Sequence, residues 1–278
     1  MRRLFPFLLL ACLAALPARA GEAPTTPAPG PLRIIGEKSA GCIAGAVPLP
    51  DSAPGLQTIR QSRSAFWGAP TTIAALLELG RRAHAAGLPD LYMGDISRPR
   101  GGPIPGGHMS HQMGIDADIY LDLGPRPVLT PAQRDTLEPP SMVLPDGRSV
   151  DPAHFGAAQI TLLHIATGLP GVDRILVNPA IKRALCEQVA GDRAWLRLIR
   201  PWWGHASHMH VNFRCPAGQP LCPPRPPPPP PGDGCDASLQ WWFDQLAQPA
   251  QPAGPPAKPP TPPRPPTACR AILDGPPG

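Results

Sequence analysis

The chain has little charge and few aromatic rings. Only 16% of its residues are Asp, Glu, Lys or Arg, 5% are aromatic, and tyrosine occurs twice. Several familiar chemistries are missing. There is no CxxC pair, which argues against a thiolate zinc site. There is no HExxH, so a metallopeptidase helix of that type is excluded. Ser110 has no GxSxG elbow around it and is not marked as a nucleophile. Gly101-Gly102 and Gly106-Gly107 follow neither the GxGxxG nor the P-loop pattern, and read as loops that let a substrate backbone approach. Beyond the first twenty residues no apolar run is long enough to span a bilayer.

What is present begins with a leader. Arg2 and Arg3, the apolar run Leu4 to Leu16 and the small-residue site Ala18-Arg19-Ala20 read as a secretory signal peptide over residues 1–20. Lipoprotein processing at Cys12 fits less well, because Cys12 comes early and Leu10 is bulky. Removing the leader takes away three arginines and no acid, so the formal charge of +5 falls to +2. That balance gives no reason to expect a nucleic-acid partner. Six cysteines remain, Cys42, Cys186, Cys215, Cys222, Cys235 and Cys269, an even count that suggests disulfides in an oxidising compartment. Spacing alone favours only the short loop Cys215–Cys222.

The histidines are concentrated. Five of the eight lie in two windows: Gly107-His108-Met109-Ser110-His111-Gln112-Met113-Gly114-Ile115-Asp116-Ala117-Asp118, and Trp202-Trp203-Gly204-His205-Ala206-Ser207-His208-Met209-His210. HxxHxxxxxxD and HxxHxH together offer imidazoles and a carboxylate from two separate segments. Zinc needs such a set if one position is to stay open for water. As strands, 115–121 and 208–213 alternate. Asp116, Asp118, Tyr120 and Asp122 share one face of the first, and His208, His210 and Asn212 share one face of the second. Alternation alone is ordinary for half-buried strands; the joint occurrence carries the metal reading. His84, His154 and His164 read as solvated or core residues. Trp202-Trp203 reads equally well as groove lining or as a core pair.

The remaining patterns predict helices over 71–86, 157–166, 179–189 and 192–200, the last ended by Pro201, with strands at 91–96 and 172–177. Without a regular βαβ rhythm this is an α+β domain. We expect a small antiparallel sheet carrying the metal site, flanked by helices, over residues 21–222. From 223 to 278 the chain is proline-rich, with eight prolines in 223–231 alone. Such a segment cannot build a core of its own. With Cys235, Cys269 and the apolar run 239–246 inside it, it reads as a strap stapled to the domain.

The two histidine windows, with Val177-Asn178-Pro179-Ala180-Ile181-Lys182, Arg214-Cys215-Pro216 and Gly232-Asp233-Gly234-Cys235, closely resemble the penicillin-insensitive murein endopeptidases, over about Gly41 to Cys269. These are periplasmic zinc metallopeptidases related to lysostaphin, the D-alanyl-D-alanine peptidases and the hedgehog proteins. The resemblance implies Zn2+ held by His111, Asp118 and His210, with His208 as acid/base and His205 as transition-state partner. Ser207 stands where the D-alanyl-D-alanine dipeptidases carry a glutamate, which argues against their mechanism. It also implies a second metal position at His108 and Asp146. Ser149 replaces that position's histidine, so any ion there is weakly held. The implied disulfides are Cys42–Cys269, Cys186–Cys235 and Cys215–Cys222.

The expected function is therefore a periplasmic, β-lactam-insensitive zinc endopeptidase acting on peptidoglycan cross-link peptides, with no membrane span and a homodimer left open. The rivals are a zinc D,D-carboxypeptidase, which a blind pocket would favour, and a non-catalytic zinc-containing cell-wall binder.

Overall fold

The computed structural model describes residues 24–104, 109–124, 127–224, 227–247 and 263–276. The expected leader, His108 and most of the proline-rich stretch 249–266 lie outside the described residues. In chain order the strands are β1 (Arg33–Glu37), β2 (Ala40–Ala44), β3 (Val47–Pro48), β4 (Ser52–Ala53), β5 (Leu56–Thr58), β6 (Trp67–Gly68), β7 (Leu91–Met93), β8 (Asp116–Tyr120), β9 (Val172–Val177), β10 (Ile199–Pro201) and β11 (His208–Phe213). The helices are α1 (Pro70–Ala85), α2 (Pro131–Asp135), α3 (Ala157–Thr167), α4 (Pro179–Gln188), α5 (Ala237–Ala247) and α6 (Arg270–Leu273).

A seven-stranded sheet in the order β10-β9-β11-β8-β7-β5-β4 organises an α+β architecture. Its four central strands, β9, β11, β8 and β7, pair antiparallel. Parallel pairs, β10 with β9 and β5 with β7, extend it on either side. Two-residue periodicity divides the sheet into unlike faces. Ala117, Ile119, Met209, Val211, Phe213, Ile175 and Val177 point into the main core, where Ile73, Leu76 and Leu79 of α1, Leu162 and Leu163 of α3, and Ile181 and Leu185 of α4 meet them. Each of these side chains larger than alanine contributes about 1.5–3 kcal/mol by leaving water. Pro70 opens α1 at its first turn, where the missing N–H is harmless, and Asn178 caps α4 by accepting the Ala180 amide at 2.9 Å.

The opposite, polar face is only partly roofed. Ile59, Tyr92 and Tyr120 pack with Leu129 and Leu137. Arg134 in α2 ties this roof down by hydrogen bonds to Asp51 at 2.6 and 2.8 Å. Over Asp118 of β8 and over β11 the cover is incomplete, and a cleft remains.

One expected helix is absent. Residues 192–200 form a short 3₁₀ turn (Ala194–Leu198) and then the edge strand β10, in register Ile199↔Ile175, Arg200↔Leu176 and Pro201↔Val177. The parallel partner decides the conformation. Pro201 is tolerated because it closes an edge strand rather than a helix.

Three disulfides, Cys42–Cys269, Cys186–Cys235 and Cys215–Cys222, fasten the C-terminal region. Behind Cys269, Ile272 joins Ile35, Ala44 and Ala28 in a second small core. The buried guanidinium of Arg100 stitches both ends of the chain, donating to Thr26 O (3.0 Å), Ile272 O (3.1 Å), Gly275 O (2.6 Å) and Pro276 O (2.7 Å). The tail helix α5 buries Leu239 and Phe243, with the Arg183 guanidinium over the Phe243 ring. Beside Cys186–Cys235, Lys182 is completely buried and donates to Leu196 O (2.8 Å) and Asp233 O (2.6 Å), while Arg193 pairs with Asp233 at 2.7 Å.

Burial lowers the Lys182 ammonium to about 8, against the raising field of Asp233. Between that value and the ordinary lysine range the folded chain holds fewer protons than the unfolded one, so this residue's contribution to stability rises with pH. Lys182→Met should cost about 1–3 kcal/mol at neutral pH through the carbonyls it leaves unpaired. The deficit relative to the wild type should widen from pH 8 to pH 10.5 in urea unfolding monitored by circular dichroism. A deficit that narrows over that range refutes the assignment.

Candidate metal centre

The antiparallel register of β8 and β11 sets Asp118 opposite His210, Asp116 opposite Asn212 and Tyr120 opposite His208, all on the polar face. His111 reaches the same point from the loop before β8. His210 Nδ1 lies 2.9 Å from Asp118 Oδ1, His111 Nε2 lies 3.3 Å from Asp118 Oδ2, and the two imidazole centroids are 4.8 Å apart. Asp116 stands behind them. Its Oδ2 is 3.4 Å from His210 Nε2 and 3.9 Å from His111 Nδ1, and it accepts the His111 amide at 3.1 Å. Each imidazole therefore has one nitrogen towards Asp118 and the other towards Asp116.

His111 holds this place in a left-handed conformation, φ 67°. Such a conformation is costly for a residue with a Cβ, and local contacts sustain it. Besides the Asp116 bond, the adjacent Gln112 donates to Ser39 O at 2.7 Å and accepts from the Gly41 amide at 3.3 Å, locking the loop to the turn between β1 and β2. On the other side of the cleft His205 is also left-handed, φ 50°. Asn178 pins this loop: its amide donates to His205 O (3.1 Å) and its side chain to Gly204 O (2.9 Å).

The electrostatics are those of a buried charge cluster. Burial depresses the His111 imidazole, but the carboxylates of Asp118 and Asp116 outweigh it and raise it to about 10. Burial likewise depresses His210, and its hydrogen bonds to Asp116 and Asp118 leave it raised. Burial raises both carboxyls, yet the imidazoles prevail, bringing Asp116 down to about 2 and Asp118 well below the usual carboxylate range.

His205 and His208 flank the cluster. His208 Nε2 is 3.7 Å from Asp118 Oδ2, and its ring centroid is 5.2 Å from that of His205. His205 Nδ1 lies 2.8 Å from Trp203 O. A carbonyl can only accept, so that nitrogen carries the proton. Burial first, then the neighbouring His208 and His210, push His205 down to about 4 against the raising effect of the Trp203 carbonyl. The neutral ring therefore presents a lone pair at Nε2.

His111, Asp118, His205, His208 and His210 line a cleft of about 440 Å³, rimmed by exposed Trp202 and Trp203. The tryptophan pair thus lines the groove and does not fill the core. Among the described residues, His111, Asp116 and His210 form the one group whose donor atoms all lie within 4.8 Å of one another as a metal would require. Asp116 is fully buried behind the imidazoles, whereas Asp118 opens on the cleft. The sequence pattern placed Asp116 on the correct face without showing that it backs both rings, and nothing in it singled out Asn178. Asp146 is exposed in a turn, where it accepts the Arg148 amide at 2.9 Å.

Two imidazoles and two carboxylates, buried at the floor of an open cleft on an α+β sheet, define a candidate histidine–aspartate metal site. The family model for penicillin-insensitive murein endopeptidases matches residues 34–274. A penicillin-insensitive murein endopeptidase of Klebsiella pneumoniae subsp. pneumoniae is 41% identical over 270 residues, covering 96% of this chain and 95% of its own length. One from Escherichia coli O1:K1 is 41% identical over 266 residues, with the same coverage. The chain belongs to the penicillin-insensitive murein endopeptidase family.

If Asp116 orients both imidazoles, Asp116→Asn should weaken metal binding by about 10- to 100-fold while the fold is kept. Competition against a chromogenic chelator, with thermal melting as control, reads this directly. Wild-type affinity in Asp116→Asn refutes it.

Proposed function

We propose that the chain is a zinc endopeptidase that hydrolyses peptide cross-links of peptidoglycan, of the D-alanyl–meso-diaminopimelyl type, in the periplasm. Residues 1–20 serve as its export signal, residues 21–222 form the metallopeptidase domain, and residues 223–278 form a strap on it. The family to which the chain belongs supports the peptidase chemistry. The donor set supports zinc: His111, Asp118 and His210 suit a three-ligand site with an open position facing the cleft. A second, weaker cation position in the same reading would draw on His108 and Asp146.

When bound, zinc supplies Lewis-acid activation of water and of the scissile carbonyl. The protein's own groups do the rest. His208, half-buried at the cleft edge, takes the proton of the attacking water and returns it to the leaving amine. His205, with Nδ1 tied to Trp203, accepts a hydrogen bond from water or amine through Nε2, and donates one to an oxyanion only once protonated. Asp116 fixes both imidazole orientations. No serine acyl-enzyme is required, so β-lactams have nothing to trap.

The observation that carries an endopeptidase over a carboxypeptidase is the shape of the cleft. It does not end at the histidines. It continues past Met109, Leu176, Trp202 and Asn212 into a second compartment of about 640 Å³. Chain on both sides of a scissile bond needs such a groove, and a terminal residue does not.

The test is hydrolysis of cross-linked muropeptide dimers by the purified mature protein, read by mass spectrometry. Dimer should become monomer, with loss of the reaction on chelation and none on adding penicillin. Free D-alanine as sole product would establish the carboxypeptidase, and intact dimer with zinc bound would establish the non-catalytic binder. His208→Ala should retain zinc and lose about 10²- to 10⁴-fold in kcat. An unimpaired His208→Ala would remove it from the mechanism.

A further inference from the structure

The second compartment of the groove has a cation at its base. Cross-strand register places Arg200 of β10 opposite Leu176 of β9, Leu176 opposite His210 of β11, and His210 opposite Asp118 of β8. These four residues form one row across the polar face of the sheet. Arg200 is two strand spacings, about 10 Å, from His210. It lines the groove together with Lys38, Arg174, Asp173 and Trp242.

Of the other charges there, Glu37 is exposed and the rest are paired. Arg174 pairs with the buried Asp173 at 3.1 Å, and the Lys38 ammonium bonds the Asn212 side chain. Among the described residues, no hydrogen bond or ion pair reaches the Arg200 guanidinium. Asp236 of the tail feels its charge without closing on it. The tail runs beside Arg200: even a Cβ added at Gly234 would only touch its Nη1, at 3.9 Å. A half-buried guanidinium held in a groove beside a hydrolytic site, with its donors unused, is a receptor for a planar anion.

We propose that Arg200 is the specificity-determining group of the groove and binds a carboxylate of the substrate peptide about 10 Å from the scissile bond. The proposal rests on the endopeptidase reading for the identity of the peptide. Cross-link peptides carry free carboxylates beside the bond to be cut, and Arg200 discriminates the free acid from its amide. Trp242 and Ser238, from the tail, wall the same compartment, so the strap is part of the recognition surface.

The test uses metal-loaded mature protein and a cross-linked peptide dimer whose scissile amide is replaced by an uncleavable methylene-amine. One form has free carboxylates and the other has them amidated. Titration calorimetry should show the wild type binding the free acid about tenfold or more tighter than the amide. Arg200→Ala should lose that difference while binding the amidated dimer like the wild type, and Arg200→Lys should recover part of it. Three outcomes overturn the proposal: equal binding of the two forms by the wild type, an undiminished preference in Arg200→Ala, or no binding of the free acid. Failure of the metal-loaded wild type to cut the natural dimer would count against the endopeptidase reading alone, because binding is measured apart from hydrolysis.

Discussion

Asp118 faces His210 because β8 and β11 pair antiparallel in one register, and every chemical group of the site depends on that pairing. A slip of one residue would exchange Asp116, Asp118, His208, His210 and Asn212 for Ala117, Ile119, Met209, Val211 and Phe213. The core would then receive carboxylates, and the cleft would receive alkyl groups. The hydrophobic requirement of the core is thus what enforces the geometry of the polar face. The antiparallel strands on the outer sides of the pair, β9 and β7, hold the register from both flanks.

The register creates an electrostatic demand. Two carboxylates, Asp116 and Asp118, are buried side by side, and burying an uncompensated charge costs several kcal/mol. Two positive charges are needed against them. Protons on His111 and His210 can meet that demand, which is the sense of their raised values. One divalent cation meets it equally, with both imidazoles then neutral and free to donate lone pairs. The same burial lowers His205, but there the Trp203 carbonyl and the field of Asp118 do not outweigh it, and the ring stays neutral. Neighbouring histidines are thereby divided between charge compensation and lone-pair chemistry.

How far the sequence reveals this depends on the range of the interaction involved. β11 and β8 are legible because alternation is a local signal, and α1 and α4 because their buried stripes and Pro-capped starts are local too. β10 is not legible: three residues, Ile199 to Pro201, become a strand only through their parallel partner β9. The β1–β2 hairpin escapes for a related reason. Gly36, Ala40, Gly41 and Ala44 have weak strand preference, and burial against the C-terminal Ile272 and Cys269 supports the hairpin. Left-handed conformations at His111 and His205 carry no sequence signal, since histidine does not require them. Asp116 was visible as a face residue, but its place behind both imidazoles exists only once the loop bearing His111 has folded back.

The proline-rich tail shows why a segment without a core of its own is retained in a compact molecule. Extended, proline-stiffened chain loses little further conformational entropy on docking. A few strong attachments, Cys186–Cys235, Lys182 to the Asp233 carbonyl and Arg193 to its carboxylate, therefore suffice to hold it. Where it docks matters more than how tightly. Trp242 meets Trp203 at 4.9 Å between centroids and Trp202 at 6.1 Å, so α5 completes an aromatic rim begun by the loop that carries His205. Without this wall the polar face beyond Leu176 would be a flat sheet edge ending at Arg200. With it, that edge becomes a channel leading to the histidines, and a polymer laid in the channel is presented to them at an internal bond.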